Sequence, residues 1–412
     1  MRRPLKHPRI PLDVLLGTLL AGVIVGGGAV VGVGLFDVSA RAGHWPFVSW
    51  VLHTAYERSV ELRSPPAATV PRLDDEALVA LGAAHFEGAC SHCHAAPGRE
   101  RDPTVLAMVP RPPHVKDATE GWDAENLFWI LKHGVKMSGM PHWPSLARDD
   151  GIWAVVAFLE RAEGLDAAGY ETLLAAQTGA EEASAPVGTA SQGTSTSVSE
   201  ETTLAGCARC HGFDGASGGN THIPRLDLLE EDYIAASLAA YRDDERFSGI
   251  MQHAAGTLAD EEIAQLARRY ASVGEDGRDA VDVREEEGAR ENPDGESAGA
   301  EREAMIARGA ALATGAGTAK ERREVPVCAA CHGPWPTPQN ERYPSIAGQH
   351  EGYLLAQLQA WRAGNRGGTP LARMMHEVAP ALGEEDLSAL AAYYATLPIG
   401  FETRTGKPGS VP

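Results

Sequence analysis

Apolar and polar positions divide this chain into three kinds of stretch. The first is a single run, residues 14–36, "VLLGTLLAGVIVGGGAVVGVGLF", without a charge. At about 1.5 Å per residue it predicts a helix of roughly 34 Å, enough to cross a bilayer core. The second kind occurs three times: acids followed by apolar positions at helical spacing. The copies are "ARDDGIWAVVAFLERA" (147–162), "ADEEIAQLARRYAS" (259–272) and "GEEDLSALAAYYATL" (383–397). Each predicts a helix whose opening acids face the positive end of its dipole. The third kind has no periodicity. Residues 175–203 include the small, polar "GAEEASAPVGTASQGTSTSVSEE", and residues 274–303 are dominated by charge. Both predict flexible linkers. No repeated run of β-branched residues occurs, and the richness in Ala, Leu, Glu and Gly favours an all-α chain of short helices and loops.

Charge narrows the partners. The formal net charge is −20, and the stretch 274–303 alone contributes twelve acids against four arginines, or −8. That excess is a solvated, self-repelling tether. An acidic chain lacks the basic face that nucleic acid requires, so no nucleic-acid partner is expected. At the other end, Arg2, Arg3, Lys6 and Arg9 precede the apolar run. The positive-inside rule then keeps the N-terminus in the cytoplasm and sends everything after Phe36 outside. A cleaved signal peptide is the alternative, since "VSARA" offers small residues for cleavage. The apolar core is longer than a usual signal core, which favours an uncleaved anchor. The spacings "GVIVG" and "GAVVG" could also support helix pairing.

All six cysteines fall in three pentapeptides: "CSHCH" (Cys90, Cys93, His94), "CARCH" (Cys207, Cys210, His211) and "CAACH" (Cys328, Cys331, His332). C-x-x-C-H is the attachment signature of c-type haem. Two thiols one helical turn apart add to the two vinyl groups of one haem, and the adjacent His reaches the iron from the same side. A thioredoxin-like site would need a βαβ context. A structural zinc site would need four ligands with paired spacing, yet the motifs lie 117 and 121 residues apart (207−90 and 328−207). Three covalently attached haems in three repeated units are therefore expected.

A haem iron held by one His has a sixth position, where Met suits electron transfer and an open site suits catalysis. The first apolar residues after the acids of the terminal helices, Ile152, Ile263 and Leu387, serve as a ruler. Met140, Met251 and Met375 each lie 12 residues upstream (152−140, 263−251, 387−375). Met137 and Met374 give 15 and 13 instead. The expected sixth ligands are therefore Met140, Met251 and Met375. His133, His142, His253 and His376 are the competing donors, with His142 and His376 flanking a chosen Met. Core filling is the alternative role for each Met.

On these motifs the chain resembles class I c-type cytochromes over roughly residues 73–173, 201–273 and 302–399. The third unit, with "CAACHG", "YPSIAGQHEGYLLAQLQAWRAGNR" and "LAAYYATLP", is similar to the domains of tandem two-haem bacterial cytochromes. The second keeps "CARCHGFDG" and "YIAASLAAYR" but has "IPRLDLLEED" in place of the P-x-x-A-G-Q segment. The first resembles a membrane-anchored single-haem type through "GAAHFEGACSHCHAAPG", "NLFWILKHGVKMSGMPHW" and the post-anchor "GHWPFVSWVLHTAYERSVELR". The resemblance implies small all-α folds in which a Pro carbonyl receives the proximal His N–H: Pro224, Pro344, and either Pro112 or Pro113. It also implies helix-contact or haem-packing roles for Gly82, Phe86, Tyr270, Tyr393 and Tyr394.

The domain plan that follows is a basic tip and anchor (1–37), a juxtamembrane segment (38–72) and haem units at 73–174, 201–273 and 302–400. Linkers fill 175–200 and 274–301, and a tail follows at 401–412. The expected function is single-electron relay, with no catalytic residues, at the periplasmic face of a bacterial inner membrane. Expected partners are a haem–copper oxidase, a periplasmic dehydrogenase or a soluble cytochrome. A cytochrome subunit of a periplasmic alcohol or sugar dehydrogenase is the alternative; a haem peroxidase or sensor would need an open sixth site or an output domain.

Overall fold

The structure is a computed structural model that describes residues 11–35, 37–39, 41–145, 147–178, 200–278, 295–316, 326–333, 343–369 and 371–398. The basic tip, most of both linkers and the tail lie outside the described residues. Among the described residues there is no β-strand. The helices of the first part are α1 (Leu12–Val33), α2 (Pro46–Arg63), α3 (Glu76–Ala89), α4 (Ser91–His94), α5 (Pro103–Leu106), α6 (Ala124–His133), α7 (Asp150–Ala162) and α8 (Ala167–Thr178). The second part holds α9 (Glu200–His211), α10 (Glu231–Arg242), α11 (Gly249–Ala255) and α12 (Asp260–Arg278). The third holds α13 (Gly295–Thr314), α14 (Ala329–His332), α15 (Glu351–Arg362), α16 (Ala372–Val378) and α17 (Glu384–Ala395). The acidic stretch 274–303 is thus helical at both ends, in α12 and α13.

α1 buries no residue against the rest of the chain. Its 22 residues span about 33 Å, the thickness of a bilayer core.

The three terminal helices form where the acid–apolar pattern places them. The Glu262 carboxylate accepts from the Ala259 N–H at 2.8 Å, and that of Asp386 accepts from the Gly383 N–H at 3.0 Å. These side chains satisfy backbone donors that a helix start leaves free. The ruler residues Ile152, Ile263 and Leu387 are all buried.

In the first unit α3 crosses α7, and in the third α13 crosses α17. Both crossings are closed by glycine. A Cβ on Gly82 would lie 1.9 Å from the Ala154 carbonyl oxygen, and one on Gly309 would lie 2.0 Å from that of Ala389. Backbones this close let Phe86 meet Phe158 at 5.1 Å between ring centroids. Phe158 is fully buried and packs in turn on Tyr170 of α8. Each such side chain contributes roughly 1.5–3 kcal/mol on leaving water.

The second unit has no comparable crossing of α9 over α12 among the described residues. α9 packs instead on α8 of the first unit. The seam between these units has further ties. Asn220 Nδ2 donates to the Ala77 carbonyl at 2.9 Å, Arg148 Nη1 to the Phe247 carbonyl at 3.1 Å, and His222 Nε2 meets the Asp75 carboxylate at 2.9 Å. The buried Trp143 indole fills the space a side chain on Gly249 would need. Long linkers alone suggest units that swing; in the folded chain they are docked.

Candidate haem-binding sites

Each C-x-x-C-H sits where a helix brings its donors to one side. Cys90 closes α3, and the Cys93 and His94 N–H groups both donate to the Cys90 carbonyl at 3.0 Å. The Cys331 and His332 N–H groups do the same to the Cys328 carbonyl, at 3.1 and 2.9 Å. In the second unit α9 runs through the motif to His211. Burial pushes the Cys90 thiol up to about 12, and the Cys207, Cys210 and Cys328 thiols up to about 11. Among the described residues no three His, Cys, Asp or Glu side chains gather into a metal-holding set.

The three motif histidines are anchored alike. Nδ1 of His94 donates to the Pro113 carbonyl at 2.9 Å, that of His211 to Pro224 at 3.3 Å, and that of His332 to Pro344 at 3.0 Å. Pro112, the alternative in the first unit, accepts from Arg101. A proton fixed on Nδ1 leaves the Nε2 lone pair free for a metal. Burial lowers the pKa of all three, that of His211 to about 4, so the imidazoles stay neutral.

The residue after each His takes a left-handed turn. It is Gly212 (φ 72°) in the second unit and Gly333 (φ 82°) in the third, but Ala95 (φ 56°) in the first. Tyr270 and Tyr394 of the terminal helices donate to the Gly212 and Gly333 carbonyls, at 3.1 and 3.2 Å. Tyr393 packs edge-on against Tyr394 at 5.2 Å.

Met140, Met251 and Met375 are all half-buried. Met137 is 92% exposed, with φ at 62°. Met374 is 45% exposed and accepts a hydrogen bond from Tyr343 at 3.6 Å, although it also reaches the cavity that Met375 lines. Met375 packs with Trp361, Ala372 and Ala379. His133, His142 and His253 are exposed, and His376 lies edge-on to Trp361 at 5.1 Å.

That cavity, of about 450 Å³, opens beside Cys328, Cys331 and His332, with Met375, Leu390 and Tyr394 in its walls. The second unit completes it with Leu229, Tyr233 and Arg246. Two guanidinium groups border it, and neither was singled out by sequence. Arg246 donates to Ser237 at 2.6 Å and Tyr353 at 3.5 Å, and its buried Nε has no partner. Arg366 donates to Gln357 at 2.7 Å and Tyr233 at 2.9 Å. Among the described residues neither meets a carboxylate. A buried cation without a counter-charge is costly, and the two carboxylates of a haem supply that charge. The apolar wall, the cysteine pair, the free Nε2 and the two cations therefore fit this group.

The same residues tie the second unit to the third. The Tyr233–Arg366 and Tyr353–Arg246 bonds cross the seam in opposite directions, and the two tyrosines, like the two arginines, stand 120 residues apart (353−233 and 366−246). Gln349 exchanges two bonds with the Arg225 backbone, at 2.9 and 3.0 Å. The spacing of equivalent tyrosines and arginines is a signal that sequence comparison of the repeats could have yielded.

Comparison with known proteins agrees with this chemistry. A family model described as cytochrome c oxidase, cbb3-type, subunit III matches residues 77–159, and one described as cytochrome c matches residues 306–398. The thiosulfate dehydrogenase electron acceptor of Thiomonas intermedia is 31% identical over 47% of this chain and 80% of its own length. The protein of the same name from Stutzerimonas stutzeri is 35% identical over 46% and 78%. Cytochrome c4 of Pseudomonas aeruginosa is 26% identical over 45% and 81%. A solved cytochrome c4 from Acidithiobacillus ferrooxidans aligns at 25% identity and a TM-score of 0.36, over 47% of this chain and 99% of that one. The three C-x-x-C-H motifs, the two matched cytochrome family models and the kinship to the thiosulfate dehydrogenase electron acceptors and cytochrome c4 together make the chain a multi-haem, electron-transferring member of the c-type cytochromes.

Proposed function

We propose that this chain is a membrane-tethered triheme relay that carries single electrons along the periplasmic face of the inner membrane, without a catalytic site of its own. The observation that carries the reading is the threefold repetition of one donor set: two cysteines, a His locked by a Pro carbonyl, and a half-buried Met 12 residues before the buried ruler residue. The ligand assignment is His94 with Met140, His211 with Met251, and His332 with Met375. A sulfur and an imidazole on iron suit rapid one-electron exchange and a raised reduction potential. A bound haem would supply the redox change; the Pro carbonyls fix the His tautomers, and Arg246 and Arg366 would offer counter-charge to the carboxylates of a haem in the third unit.

A periplasmic dehydrogenase is the favoured electron donor, because two relatives are named as electron acceptors of thiosulfate dehydrogenase. A terminal oxidase or soluble carrier is the favoured acceptor. The test is a haem count with a redox titration of the full chain, followed by reduction with purified thiosulfate dehydrogenase and with an alcohol or sugar dehydrogenase. Three haems at raised potential, reduced at catalytic rates by one of these enzymes, are expected. Fewer than three haems, or a haem that binds carbon monoxide rapidly when reduced, would overturn the assignment.

A further inference from the structure

Helix α2 is two different helices in one. Its C-terminal half belongs to the first unit: Val60 is fully buried, Tyr56 packs edge-on against Trp122 at 5.4 Å, and at its end Ser64 Oγ accepts from Asn126 at 2.9 Å. Its first two turns touch little. Trp45, immediately before the helix, is 81% exposed, Phe47 is 72% and Trp50 is 62%. Val51 and Leu52 are exposed beside them. The stretch 44–55, "HWPFVSWVLHTA", contains no Asp, Glu, Lys or Arg. A helix of this length draws its stability from burying an apolar face, and among the described residues nothing covers this one.

We propose that the first two turns of α2, led by Trp45, Phe47 and Trp50, lie in the headgroup layer of the bilayer that α1 crosses. The inference rests on reading α1 as an anchor. Twelve residues, Gly34–Trp45, separate the end of α1 from α2. At about 3.3–3.6 Å per residue they keep α2 within roughly 40 Å of the membrane surface. The exposed residues are also of the right kind: Trp and other aromatic side chains settle at headgroup depth, where one edge is apolar and the other wet. Because the stretch has no basic cluster, its lipid is a zwitterionic one, and salt does not release it. The docked half of α2 then holds the first haem unit at a fixed height over the membrane, next to any membrane-bound redox partner.

With every native cysteine engaged by haem, an introduced cysteine is a lone free thiol. Val51→Cys, Arg58→Cys and Leu20→Cys are made in the full-length holoprotein and reconstituted into phosphatidylcholine nanodiscs. A water-soluble maleimide then reports exposure by its labelling rate. Val51→Cys is expected to react at least tenfold more slowly than Arg58→Cys, with or without added salt, and Leu20→Cys to be protected. In a Phe47→Glu/Trp50→Glu background the Val51→Cys thiol is expected to become fast while Leu20→Cys stays protected. Fast labelling at Val51→Cys with Leu20→Cys protected would overturn the proposal, leave the anchor standing and point to a protein as the cover. Persistent protection of Val51→Cys in the double-glutamate background would overturn it too. Fast labelling at Leu20→Cys would remove the anchor and the proposal together.

Discussion

Gly82→Ala adds one methyl group where α3 crosses α7. Its carbon would stand 1.9 Å from the Ala154 carbonyl oxygen, 2.6 Å from the carbonyl carbon and 2.9 Å from Phe158 Cβ. Ordinary contact begins near 3.4 Å, so the helices must part by about 1.5 Å (3.4−1.9). Overpacking of this kind costs about 1–3 kcal/mol, and a backbone carbonyl cannot swing aside as a side chain can, which favours the upper end. Alanine returns about 1 kcal/mol of helix propensity. The net loss is about 2 kcal/mol, roughly a 30-fold change in the unfolding constant and a large fraction of a domain's stability. Gly88→Ala in the same helix is the control: a Cβ there meets nothing within 4 Å, so the variant should gain up to about 1 kcal/mol. Denaturant titration of the full chain, followed by the far-red charge-transfer band of Met-ligated ferric haem, resolves the effect. One transition should move to lower denaturant in Gly82→Ala and not in Gly88→Ala. If Gly82→Ala is as stable as the parent, the close crossing is not what holds the first unit together.

Met375→Ala should remove the far-red band of one haem, whereas Met374→Ala and Met137→Ala leave all bands in place; a loss with Met374→Ala would make that residue the ligand. Ala95→Gly should stabilise the first unit by about 1–2 kcal/mol, because alanine there holds φ at 56°, a region glycine enters freely, and an unchanged midpoint would show the turn unstrained. Replacing Arg366 by Gln should lower the reduction potential of the third haem, since a cation beside haem carboxylates favours the electron-rich state; a redox titration without a shift would place the haem carboxylates elsewhere. A protease site inserted within 180–198 should leave the first and second units together on gel filtration after cutting, and Gly249→Leu, which displaces the Trp143 indole, should let them separate.

The attachment chemistry was legible because it is local. C-x-x-C-H needs only one helical turn to align two sulfurs and an imidazole, so spacing alone nominates Cys90, Cys93 and His94 and their counterparts in the other two units as haem donors. The terminal helices were legible for the same reason: acids in the first turn and apolar residues at 3.6-residue spacing act within one segment. The ruler reaches one loop further and nominates Met140, Met251 and Met375, all half-buried in the fold. What local pattern could not supply is any contact made across long separations. The selection of Pro113 over Pro112 depends on where a loop 19 residues beyond His94 returns. Nothing local marks Arg246 and Arg366, which two units bury together beside the cavity of the third unit. The docking of α9 on α8 joins residues across the linker, whose featureless composition gives no reason to suspect it. Sequence nominated the cysteines and histidines that would hold each haem, because that pattern lies within one helical turn; tertiary structure decided which charges border the third unit's cavity and how the units meet, because those contacts join residues far apart in the chain.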